Sequence, residues 1–378
     1  VYTGAAMNPL TEPQRRALIT FLTRLIDQER ARIIVEPMAP ADGYWFGGGH
    51  LVQDERGRIW LSGRYRTYGD SRTGLAAGER GLACAIFCSE DGGQSFRKIQ
   101  SWSKADLSGQ GKVLSIEGTA LHKHASGAWE LFISMEKEAR YPNALAEYQK
   151  PGTGVWQIDL LSGPNPAELN LATQQPVLIN QIQPEYLHVK DPYIIPAPEG
   201  ETRLGFCSHP FSWSSTNAGL AVRRAGETGF RVTHWELTGR GPVWDVAATR
   251  ITSCLRVPAL GLFAESPPAN IYFYDGTECI RLHEQNLAGV ARPRGYSCEE
   301  LGGALLGWNE AFPALERLSL YAPLFVSPWG SGSSRYASAL VTEAGILATW
   351  QQAQPDGSQP LVANLLTFPE IETFLTYR

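Results

Sequence analysis

The 378-residue chain has no long run of Lys or Arg, and its 33 basic and 38 acidic residues leave a net charge of -5, which argues against nucleic acid or an anionic membrane as the main partner. No apolar run reaches the roughly 18 residues needed to cross a bilayer, and Val1 to Pro9 lacks the basic-then-apolar order of a secretory leader. A soluble protein is expected, with the cytoplasm the favoured compartment. The six cysteines, Cys84, Cys88, Cys207, Cys254, Cys279 and Cys298, are scattered without zinc spacing in apolar settings, so buried free thiols are expected. Cys84 and Cys88 on one extended strand would stand ~13 Å apart, beyond disulfide reach. Histidine is scarce, and His122-x-His124, with His188 and His209 elsewhere, reads as a hairpin pair rather than a metal site. Helices alternating with strands are missing too, which excludes a parallel sheet.

What is present suits a turn-rich globular protein: 43% hydrophobic residues with 38 glycines and 25 prolines. Thr11-x-x-Gln14 resembles a capping box, and Leu18, Leu22, Leu25 and Ile26 follow at helical spacing. The pattern predicts a helix over about 12–31 within an N-terminal extension, 1–40. From residue 44 onward short β-rich runs alternate with glycine turns, as in Arg58-Ile-Trp-Leu-Ser62 after Asp54-Glu-Arg-Gly57, or Ile271-Tyr-Phe-Tyr274 paired with Glu278-Cys-Ile-Arg-Leu282 across Asp275-Gly276. Ser89-Glu-Asp-Gly-Gly-Gln-Ser-Phe96 reads as a hairpin turn of the Asp-box kind, whose aspartate accepts bonds from its own turn. Grouping the hairpins gives five blocks beginning near Trp45, Glu117, Asp191, Asp245 and Tyr296, at a spacing of roughly a four-stranded blade with loops. The expected fold is all-β: one β-propeller over 41–378, five-bladed unless the insertion at about 136–185, read as a long loop, hides strands.

The block starts, where innermost strands would line a tunnel, carry acids in apolar company. They are Glu117 in Ser115-Ile-Glu-Gly-Thr119, Asp191 in Lys190-Asp-Pro-Tyr193, Asp245 in Val243-Trp-Asp-Val246, and Glu299-Glu300. An ionised carboxylate in such a place must be paired or functional, since burial without a partner costs several kcal/mol. Here the chain resembles the five-bladed propeller glycoside hydrolases, the arabinanases, β-xylosidases and invertases. Glu117-Gly118 looks like the step that holds the family's general acid, and Asp191-Pro192 like the step that holds its base or nucleophile. The resemblance implies hydrolysis of a terminal sugar by two carboxyls, with a carbohydrate as partner and no cofactor. A calcium or sodium ion in the tunnel is compatible with it, although no oxygen-rich loop is present. The order departs from the family, where base, auxiliary Asp and acid follow one another. Keeping that order would use Asp191, Asp245, then Glu299 or Glu300.

A rival reading rests on arginine. Arg64, Arg250 and Arg335 follow inner-strand segments in different blocks, and three converging guanidiniums could bind an anionic or hydroxyl-rich substrate, as in a sialidase-like site where Tyr296 would pair with Glu299 or Glu300. A non-catalytic glycan-binding propeller is the other alternative. For sugar contact the sequence offers Trp45 and His50 around a triple glycine, His209 and Trp213 among hydroxyls, and Gln351 and Asp356 after Trp350. The glycines lack the strand-to-helix setting of a phosphate loop.

Overall fold

The computed structural model describes residues 10–67, 80–212, 215–278 and 300–376. Five antiparallel sheets form a ring, a five-bladed β-propeller. After β1 (Arg32–Val35), the first blade holds β2 (Trp45–Gly47), β3 (Leu51–Gln53), β4 (Ile59–Arg66), β5 (Ala83–Ser89) and β6 (Arg97–Ser103). The second holds β7 (Val113–Lys123), β8 (Trp129–Lys137), β9 (Val155–Gly163) and β10 (Asn170–Leu178). The third is β11 (Leu187–Ile195), β12 (Thr202–His209), β13 (Asn217–Arg223) and β14 (Arg231–Thr238). The fourth is β15 (Ala248–Arg256), β16 (Ala269–Thr277), β17 (Leu301–Trp308) and β18 (Glu316–Arg317). The last consists of β19 (Ser334–Thr342), β20 (Gly345–Gln352) and β21 (Leu361–Thr367), and β1 completes it by pairing antiparallel with β21, so the chain's two ends clasp the ring.

Burial explains which strands the sequence announces. β8 and β16 are buried at every position, covered by neighbouring blades on both faces, whereas outer strands such as β14 keep exposed residues. Residues 136–185, expected as a long loop, contain β9 and β10: these complete the second blade. The fifth blade starts at Ser334, and the block expected from Tyr296 instead contributes Leu301–Trp308, the third strand of the fourth blade. Asp275-Gly276 is no turn either, because β16 runs through it.

The helix α1 (Glu12–Leu25) is shorter than the predicted 12–31 and starts with the Thr11/Gln14 capping box. Its buried stripe, Leu18, Phe21, Leu22 and Leu25, packs with Ile371 and Leu375 of α2 (Phe368–Thr376) and with the cores of the fourth and fifth blades. Between β5 and β6, Asp91 Oδ1 accepts from Ser89 Oγ (2.7 Å) and the Ser95 amide (2.9 Å). Slight burial opposes it, but the Ser95 hydroxyl, donating to Oδ2 at 2.5 Å, and these bonds lower its carboxyl to about 2. The turn sits at the blade's outer hairpin and does no chemistry.

Candidate active site

The innermost strands converge on a cavity lined by Gly48, Gly49, His50, Gly118, Asp191, Pro192, Thr252 and Tyr336. The triple glycine is the break between β2 and β3. At Gly49 a Cβ would stand 1.7 Å from the Ser62 carbonyl oxygen, so the inner strand passes β4 closely only because no side chain intervenes. His50 then crosses the axis, its Nδ1 2.8 Å from Thr119 O of the second blade and its Nε2 2.7 Å from Thr252 O of the fourth. Burial pushes its imidazole pKa down, against the two carbonyls.

Asp191 adopts a left-handed backbone (φ 52°) where β11 departs from regular pairing, as does Tyr336 (φ 52°) on β19. Such conformations cost roughly 1–3 kcal/mol each and persist where the surroundings enforce them. The Asp191 carboxylate accepts from the Gly118 amide (3.0 Å), the Cys207 thiol (3.4 Å) and Arg250 Nη1 (3.4 Å). Burial and the Asp191 charge hold that thiol neutral, its pKa well above the ordinary value.

Arg250 organises the rest. Its Nη2 reaches Asp275 at 2.9 Å and Glu300 at 2.8 Å, and Glu300 also pairs with Arg335. Burial raises the Asp275 carboxyl to about 7, with Arg250 opposing and Glu300 reinforcing. Glu300 goes the other way: burial would raise it, but Arg250 and Arg335 pull it well below the carboxylate range. Glu117 likewise overcomes its burial. Arg66 (3.3 Å), Lys190 and Arg64 (3.9 Å) bring it to about 2, with a bond from Ser115 Oγ at 2.9 Å.

Arg64, Arg250 and Arg335 do converge: their guanidinium carbons lie 5.0, 4.3 and 5.6 Å from the centre of the Tyr336 ring. Trp45 is held between Arg66 (5.0 Å) and Arg335 (4.9 Å), and Gln351, with its amide oxygen turned to Arg335, accepts from Nε at 3.0 Å. Three expected residues lie elsewhere. Asp245 is fully buried on the other face of β16 from Asp275, bound by Arg317 Nε (2.9 Å) and Tyr274 OH (3.0 Å), and is a structural ion pair. Asp356 caps an exposed turn through the Ser358 amide at 2.9 Å. His209 packs beside His188, 5.9 Å between ring centres, off the cavity wall. Trp213, Tyr296 and Glu299 lie outside the described residues.

The sequence reading missed Arg66, Lys190, Cys207, Asp275 and Tyr336. Arg66 shares a strand face with Arg64, so period-two spacing could have found it. Asp275 was hidden by the Asp-Gly pair that mimics a turn. Among the described residues no group of three His, Cys, Asp or Glu stands ready to hold a metal ion, and no helix is long and apolar enough to cross a membrane.

No protein-family model and no curated protein matches the chain. Solved structures do match its fold. One is a glycosyl hydrolase from Bacteroides ovatus, 10% identical, with 88% of this chain and 92% of that chain covered at a TM-score of 0.57. Another is an alpha-L-arabinofuranosidase from Lactobacillus brevis, at 12% identity, 88% and 93% coverage and TM-score 0.53. The β-xylosidase RS223 aligns at 10% identity, 90% and 96% coverage and TM-score 0.53. At such identities the likeness is one of fold.

Proposed function

We propose that this chain is a glycoside hydrolase that cleaves a terminal sugar in the axial cavity, with Asp191 as nucleophile or base and Asp275 as the proton donor. One observation carries the reading: a single guanidinium, Arg250, meets Asp191 through Nη1 and Asp275 through Nη2, at 3.4 and 2.9 Å. Glycoside cleavage needs one carboxyl that attacks or activates water and another that still carries a proton for the leaving oxygen. Asp275, whose carboxylate accepts from the backbone amide of the cavity-lining Tyr336 at 3.0 Å, is raised to about 7. Glu117, the donor suggested by its Glu-Gly step, is held ionised at about 2, so in this reading it orients Arg64 and Arg66. The matching fold of named glycosidases supports the assignment to carbohydrate chemistry. The test is turnover of aryl pentosides, furanosides and hexosides across pH. A donor raised to about 7 predicts a rate that falls as pH climbs through that value, and an Asp275→Asn protein that loses this limb.

A further inference from the structure

Two cations next to Asp191 are left without work by the two-carboxyl reading. Arg64 is 1% exposed, and its Nε has no hydrogen-bond partner among the described residues. Among the described residues its other nitrogens donate to Gly47 O at 3.4 Å and to Tyr336 OH at 3.2 Å. The acid within ion-pair reach of it among the described residues is Glu117, at 3.9 Å, already closer to Arg66 at 3.3 Å. Lys190, partly buried beside Asp191 on β11, forms no ion pair among the described residues and acts on Glu117 and on Glu136 from a distance. Glu117 therefore serves Arg64 and Arg66 together, and a buried guanidinium with unused donors is costly unless an acceptor arrives.

That guanidinium lies directly behind Gly48 of the cavity wall. A Cβ on Gly48, which has φ +69°, would stand 3.0 Å from Arg64 Nη1 and 3.5 Å from Gly118 Cα. A Cβ on Gly118 would stand 2.6 Å from Asp191 Oδ1. Both glycines line the cavity, so no side chain there stands between it and the buried Arg64 guanidinium on one side or Asp191 on the other.

We propose that this end of the cavity receives one oxyanion beside Asp191, with Arg64 and Lys190 as its ligands. The oxyanion is either the carboxylate of an acidic sugar, which rests on the glycoside hydrolase reading above, or free phosphate. A guanidinium fork presents parallel N–H donors that match either group, and an ammonium adds charge without demanding geometry.

The experiment is calorimetric titration of the wild type, Arg64→Lys and Lys190→Gln with glucuronate, N-acetylneuraminate, inorganic phosphate and glucose at two salt concentrations. At least one anion is expected to bind ~10-fold more tightly than glucose, weakening with salt, and each substitution is expected to lower that affinity by about 10-fold. Lys190 is partly exposed, so its variant keeps the test open if Arg64→Lys does not fold. Glucose binding as tightly as every anion, or anion binding unchanged in both variants, overturns the proposal. Binding of a sugar acid but not phosphate assigns the oxyanion to the substrate. Binding of phosphate, with neutral aryl glycosides turned over only in its presence, assigns it to free phosphate. Hydrolysis of a neutral glycoside by a protein that binds none of the anions removes the oxyanion site and leaves the hydrolase reading intact. Anion binding without turnover of any glycoside does the reverse.

Discussion

Asp191 is positioned by an uncharged neighbour as well as by Arg250. The Cys207 thiol is fully buried and donates to the same oxygen that Arg250 approaches. Cys207→Ala should lower kcat by ~10-fold with KM little changed, while Cys207→Ser restores it; an unchanged kcat in Cys207→Ala would leave the thiol a packing group. Glu117 gives a second residue-level expectation. Its carboxyl, about 2 when folded against an ordinary 4.5, contributes stability that is present above the unfolded value and is lost as pH falls through the folded one. Glu117→Gln, which strands Arg64 and Arg66, should cost about 3–5 kcal/mol near pH 7, and the gap in Tm should narrow as the pH falls from 4.5 towards 2. A gap independent of pH would mean that the charge is not what matters there. Asp275 has the opposite sign: raised to about 7, it contributes stability below its unfolded pKa that is lost as pH rises through 7.

At the scale of the element, the contact between β7 and β11 depends on Gly118. A methyl there meets Asp191 Oδ1 at 2.6 Å and Asp191 Cα at 3.0 Å, so the carboxylate must move. Gly118→Ala should therefore reduce kcat by about 100-fold with little change in KM, as an ångström-scale displacement of a reacting group does, and near-normal turnover would show that Asp191 is not the reacting group. Sequence legibility divides along similar lines. Inner and central strands, covered on both sides, read as apolar runs such as Trp129-Glu-Leu-Phe-Ile-Ser134, so block starts near Trp45, Glu117 and Asp191 fall on or beside β2, β7 and β11. Outer strands carry no such signal. β10, with Thr173, Gln174, Gln175 and Pro176, reads as loop because its neighbours, rather than its residues, make it a strand. The site was half legible. Glu117, Asp191 and the three arginines are visible as charge within apolar strands, but which carboxyl keeps its proton depends on spatial partners such as Glu300 and Tyr336 that no local pattern links to Asp275.

For the molecule as a whole, the axial site exists only while the ring is closed. His50 ties the first, second and fourth blades, Arg250 joins groups from the third, fourth and fifth, and β1 clasps the last blade. Weakening the clasp should then be felt at the site: Val35→Asp, which buries an unpaired charge against the core of the first and last blades, should lower Tm by several degrees and lower kcat in parallel. Loss of Tm with kcat preserved below the transition would mean that closure and site are independent. The central claim, that two carboxyls on one guanidinium cleave a glycoside, is tested most directly by measuring hydrolysis of an aryl glycoside panel with wild type, Asp191→Asn and Asp275→Asn, all shown to be folded. The account predicts turnover of at least one glycoside by the wild type, reduced by ~1,000-fold or more in Asp191→Asn and by ~100-fold or more in Asp275→Asn. Turnover retained in both variants would contradict it.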